Sequence, residues 1–108
     1  MDSEIVILTR EDTLSVILPC EIDHHAAKPI REKTDKKLFE IMPKLLVMDF
    51  SAVSFMDSSG IGLILGRAEL CEELGIRIRL KGVCPSLMKL IRLSGIEKIK
   101  NLSISDLT

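Results

Sequence analysis

No apolar run in the sequence approaches the ~20 residues that a membrane span requires, so no membrane is expected as a partner. The opening residues, Met1-Asp2-Ser3-Glu4, have no basic stretch followed by a long apolar one, which is not the pattern of a signal peptide. Charge of one sign is missing too. Lys and Arg number 15 against 16 Asp and Glu, for a net charge of −1. A nucleic-acid binder shows a basic excess or patch. The basic clusters here, at residues 31–37 and 77–81, are interrupted by acids or apolar residues and read as solvated faces. The three cysteines, Cys20, Cys71 and Cys84, are odd in number and widely spaced, with no CxxC pair and no paired-histidine spacing for zinc. They are expected to be buried, reduced thiols of a cytoplasmic protein, with no metal and no cofactor. Repeats, low-complexity stretches and internal linkers are absent as well.

The 108 residues suit one domain spanning 1–108, and an apolar fraction of 46% supplies its core. Residues 5–8 and 14–18 are apolar around a polar stretch at 9–13, the pattern of a β-hairpin. Residues 23–42 place Ala26, Ala27, Ile30, Leu38, Ile41 and Met42 mostly at helical spacing, giving an amphipathic helix. Pro29 is expected to limit its start and Pro43 to mark its end. Leu45-Leu46-Val47-Met48 reads as a strand buried on both faces. Residues 50–56 read as a loop anchored by Val53 and Phe55. A second helix is expected over 58–74, stopped by Gly75, and a strand over 76–80. A third helix has Pro85 near its first position and Gly95 just past its end, with Ile96 packing back on it. Residues 99–104 form a weak last strand. The order β-β-α-β-α-β-α-β implies one α/β sheet covered by helices.

The stretch from Ser54 to Gly62 is the most informative. A buried strand leads through a loop to a helix start carrying Asp57, Ser58, Ser59, Gly60 and Gly62. Asp57 suits the N-cap, and the positions after it face the positive end of the helix dipole, which favours a phosphate. Three readings stay open on the residues alone. One is a structural cap followed by small residues that allow close packing. A second is a nucleotide site, although Gly60-x-Gly62-x-x-x-Gly66 misses the dinucleotide spacing by one and lacks the later acid. The third is a serine phospho-acceptor read by another protein. On a helical wheel the apolar stripe is Ile61, Ile64, Leu65, Ala68 and Cys71. Ser59 points away from it more clearly than Ser58, and Gly62 and Gly66 fall opposite. Glycines there suit either a partner's close approach or internal packing. The methionines are expected to fill the core, Met56 beside the motif being the one that could reach a partner.

Asp57-Ser58-Ser59-Gly60-Ile61-Gly62-Leu63-Ile64-Leu65-Gly66-Arg67 resembles the signature of STAS domains, specifically of anti-sigma factor antagonists. Glu21-Ile22-Asp23-His24-His25-Ala26-Ala27 is similar to the segment that opens the family's first helix. Cys84-Pro85-Ser86 and Leu93-Ser94-Gly95-Ile96 match the ends of its third. The His24-His25 pair resembles the antagonists of the sporulation sigma F system. The resemblance implies a single STAS domain, a mixed β-sheet with helices packed on one side. It implies that Ser58 accepts phosphate from an anti-sigma factor that is itself a serine kinase, and that a serine phosphatase resets it. The unphosphorylated form would bind the anti-sigma factor and release the sigma factor. Asp23 matches an acidic residue near the phospho-site. With Met56, Asp57, Ser59, Gly60, Gly62 and Gly66 it makes up the expected partner surface.

The chain departs from the family in two places. Cys20 stands where a glycine is usual, which would be strained if the backbone needed a positive φ. The family's C-terminal helix is expected to be short or absent. No enzyme is expected, because no phosphate-cradling loop or kinase motif is present. Other readings are a STAS domain of another signalling or transport system, a small nucleotide-binding protein, or an enzyme using Ser58 as nucleophile. The last would need a base beside Ser58, and nothing in the sequence places His24 or His25 there.

Overall fold

The computed structural model describes residues 5–105. A hairpin opens it: β1 (Val6–Arg10) and β2 (Thr13–Ile17) pair antiparallel, with Arg10 opposite Thr13. Glu11 turns the corner in the left-handed region at φ 54°. Then come β3 (Glu21–Ile22), α1 (His24–Ile41), β4 (Leu45–Asp49), β5 (Phe55–Met56) and α2 (Ser58–Leu74). The chain continues through β6 (Arg77–Lys81), α3 (Pro85–Ser94), a 3₁₀ turn (Ile96–Lys98) and β7 (Leu102–Ser105). The main sheet runs β1-β2-β4-β6-β7, parallel except for the hairpin, and β3 with β5 forms a separate two-stranded parallel piece. The chain is thus an α/β fold with a mixed sheet, and helices cover one side.

That one-sidedness follows from strand alternation. Leu14, Val16, Leu46, Met48, Ile78 and Leu80 are all fully buried on one face. The face between them in register carries Thr13, Ser15 and Ile17, then Leu45, Val47 and Asp49, then Arg77, Arg79 and Lys81. β4 is therefore not enclosed by helices on both sides, as its apolar run suggests. Val47 is buried on the open face by its neighbours' side chains, while Val6 and Leu8 at the edge stay exposed.

Three helix expectations need correction. Pro29 lies inside α1, whose N-cap is Asp23. Its missing N–H forfeits one bond, to the His25 carbonyl, on the exposed face of the second turn. Met42 is not core but the left-handed C-cap of α1, φ 49° and half exposed, and the helix buries Ile30, Thr34 and Leu38 instead. On α2 the buried stripe is Gly60, Leu63, Ile64, Arg67, Ala68 and Cys71, and Leu65 faces outward. Gly75 closes α2 at φ 75° and Gly95 closes α3 at φ 81°, with Ile96 buried against α3's last turn.

The cysteines also differ from expectation. Only Cys71 is buried, and burial pushes its thiol up to about 11. Cys84 is half-buried at the N-cap of α3 and Cys20 is exposed. Cys20 takes no positive φ, so replacing the family's glycine stores no strain there.

Candidate functional site

The site is built by two short strands. β3 and β5 run parallel, with Glu21 opposite Phe55 and Ile22 opposite Met56. Residues 50–56 are thus not wholly loop. Phe50 and Val53 anchor the segment in the core, whereas Phe55, the other expected anchor, is half exposed. Ser54 and Phe55 donate their amides to the Cys20 carbonyl at 2.8 and 3.3 Å, and Cys20 Sγ meets Ser54 Oγ at 3.0 Å. Each strand delivers an aspartate one residue on, and each aspartate starts a helix. Asp23 accepts from the Ala26 amide at 2.9 Å, and Asp57 accepts from the Ser59 amide at 2.8 Å. Because the strands are parallel, α1 and α2 present their positive ends at the same edge. The Ala26 amide holds the Asp23 carboxyl below its ordinary value; desolvation opposes it, and His25 and His24 lower it further.

Ser58 is the first helical residue of α2 and is exposed, and its hydroxyl makes no hydrogen bond among the described residues. Ser59 is more enclosed and its amide is occupied by Asp57. The wheel ranks the two serines the other way because, in a first turn, side chains project past the helix end.

Met56 and Gly60, both expected at the partner surface, are buried in this structure. Met56 is 5% exposed. A Cβ on Gly60 would collide with Met56 Cγ and Sδ and touch Ile22 Cγ2 at 3.4 Å. Gly60 thus lets the helix start sit directly on the β3–β5 pair. Gly62 and Gly66 are different: a Cβ on either would meet nothing within 4 Å. They line a groove of about 430 Å³ between α1 and α2, which Ser59 and His24 also border. Among the described residues no internal neighbour asks for these two glycines.

Sequence reasoning missed an ion pair at the floor of this region. Arg67, only 6% exposed, reaches across from α2 to Asp35 on α1, Nε to Oδ1 at 2.7 Å. A basic residue four positions before a buried cysteine on the apolar stripe was the available signal. Burial pushes the Asp35 carboxyl up, against the pull of Arg67 and Arg31, and pushes the Arg67 guanidinium down. The pair ties the helix that bears Ser58 to the one capped by Asp23.

The dinucleotide-site alternative does not fit the placement of its glycines. Gly60, Gly62 and Gly66 all lie within α2, whereas a dinucleotide fingerprint needs its glycines in the turn before the helix. His24 and His25 pack against each other, ring centroids 4.0 Å apart and planes tilted by 39°, and neither bonds Ser58 among the described residues. Among those residues no helix is long and apolar enough to cross a membrane.

The STAS domain family profile matches residues 4–105. An anti-sigma F factor antagonist from Lysinibacillus sphaericus is 35% identical over 96 residues, covering 89% of this chain and 81% of the relative. The solved structure of the anti-sigma factor antagonist SpoIIAA in its unphosphorylated form aligns at a TM-score of 0.76 and 29% identity, over 97% of this chain and 90% of that one. SpoIIAA of Bacillus in the phosphorylated form aligns at 0.74 and 30%, over 94% and 91%. With the Asp-Ser-Ser-Gly helix start placed as described, the chain belongs to the STAS domain family and, within it, to the anti-sigma factor antagonists.

Proposed function

We propose that this protein is a phosphorylation-controlled antagonist acting in the cytoplasm. Unphosphorylated, it binds an anti-sigma factor that is also a serine kinase and so releases a sigma factor. Phosphate on Ser58 ends that binding, and a serine phosphatase removes it. It performs no phosphoryl transfer of its own. The observation that carries this reading is Ser58 itself: an exposed hydroxyl, without a hydrogen bond among the described residues, at the first position of a helix whose N-terminal amides and dipole favour an anion. Its cap, Asp57, makes added charge matter. Phosphate brings about −1.5 to −2 charges at neutral pH, next to a carboxylate on a surface that a partner must approach. The similar alignment to both phosphorylation states of SpoIIAA fits a switch that leaves the fold in place.

The test is intact mass after mixing the protein with ATP and a candidate serine kinase from the same genome, followed by binding titrations. Wild type should gain one phosphate, and Ser58→Ala none. Ser58→Ala should bind the kinase persistently, while Ser58→Asp should bind it weakly. Equal affinity for all forms would remove Ser58 from the switch.

A further inference from the structure

The α1–α2 groove has a charge pattern that a phosphate switch alone does not require. His24, Lys28 and Arg31 form its α1 wall, and Gly62, Gly66 and Arg67 its α2 wall. Ser59 borders it beside the phospho-acceptor. Arg67 is engaged by Asp35 at 2.7 Å, and that carboxylate also feels Arg31. Lys28 and Arg31 are exposed and make no ion pair among the described residues. The groove is therefore cationic in a chain of net charge −1. Its other wall is bare helix backbone at Gly62 and Gly66, one turn apart, with open space above both.

These features point to one kind of occupant. Exposed ammonium and guanidinium groups hold a small free anion weakly, because solvent and salt screen each contact. Carboxylates fixed in a row on a docked helix engage several such cations in a single binding event. Small residues one turn apart let a second helix backbone come close.

We propose that this groove seats an acidic helix of the kinase partner, its carboxylates toward Lys28 and Arg31 and its backbone over Gly62 and Gly66. The inference rests on the switch reading above and adds the partner's chemistry to it. Phosphate on Ser58 would then stand at the end of the groove, where it repels those carboxylates.

The test is steady-state phosphorylation of the full chain by the candidate kinase. It compares Lys28→Glu/Arg31→Glu with a charge-matched control on the opposite side, Arg77→Glu/Arg79→Glu. The groove variant should raise KM about tenfold with kcat little changed, and the shift should shrink as salt rises from about 50 to 500 mM. The milder Lys28→Gln/Arg31→Gln should move KM the same way by less, and the control should leave it unchanged. Wild-type KM in both groove variants, or equal shifts in the two charge-matched variants, would overturn the proposal. Failure of wild type to gain phosphate on Ser58 is a separate result, which overturns the switch reading and this inference with it.

Discussion

Asp23 and Asp57 head two helices side by side because each follows one residue after the Ile22–Met56 pair of parallel strands. The Asp57 amide donates to the Ile22 carbonyl at 3.3 Å, which locks that register. Two residues of pairing thus bring together a capping carboxylate, a second capping carboxylate and the Ser58 hydroxyl.

Removing the Asp57 cap should cost stability before it affects any partner. Asp57→Ala should lose about 1 kcal/mol, while Asp57→Asn keeps most of it. A loss of that size lowers Tm by about 4–8 °C in a domain near this length. For Asp23 the pH dependence carries the information. Its folded pKa lies below the ordinary value of 3.8, so its stabilising effect is present above that value and fades as pH falls through the folded one. Melts of wild type and Asp23→Ala should therefore converge on acidification below about pH 4.

The three glycines of α2 should split by sign. Gly62→Ala and Gly66→Ala should each raise stability by about 0.5–1 kcal/mol, since the methyl group meets no atom and alanine favours helix. Gly60→Ala should lower it by about 1–3 kcal/mol, because Met56 must move. Urea titrations measure all three. Gly66→Ala should also weaken kinase binding. Lower stability with normal binding would return Gly66 to an internal packing role.

The Arg67–Asp35 pair gives a prediction with opposite pH behaviour. Arg67→Met leaves a partly buried carboxylate whose pKa burial already raises. At pH 7 the variant should lose about 2 kcal/mol, less than a fully buried pair because the Asp35 side chain is 27% exposed. A raised folded pKa means that the folded state takes up the proton first, so the variant should regain stability relative to wild type as pH falls towards 4. Paired urea titrations at pH 7 and pH 4.5 would show it. A constant gap would place the loss in packing, since Arg67 also contributes its aliphatic stem to the core.

The sequence announced what depends on local chemistry. The span of α2 from Ser58 to Leu74 followed from Asp57 and Gly75, and α3 from Pro85 and Gly95, because caps and breakers act within a few residues. It could not announce what depends on a distant partner. Strands β3 and β5 are two residues each, too short for any period, and exist only because segments over thirty residues apart meet. The spacing of Arg67 to Cys71 puts it at the edge of the apolar stripe, but its partner Asp35 lies in another helix that nothing in α2 names. For Gly62 and Gly66, opposite the apolar stripe, the sequence left open whether a partner or an internal neighbour comes close. Open space lies above both, while Gly60 lies against Met56, and that distinction needs the tertiary arrangement.

Phosphorylation of Ser58 should leave the backbone almost unchanged. Ser58 is exposed at a helix start whose amides and dipole would accommodate an anion locally. Beneath it, Met56 and Gly60 are buried and packed closely against each other. The change in binding would then come from charge and bulk at the interface itself. Its electrostatic part should weaken as salt rises, and its steric part should persist. Amide chemical shifts and hydrogen exchange of the free and phosphorylated forms distinguish the cases. Changes should stay within residues 55–65 and their contacts in β3 and the start of α1. Shifts spread through the main sheet and α3 would show a conformational switch instead, and the Ser58 site would then act through the core beneath it.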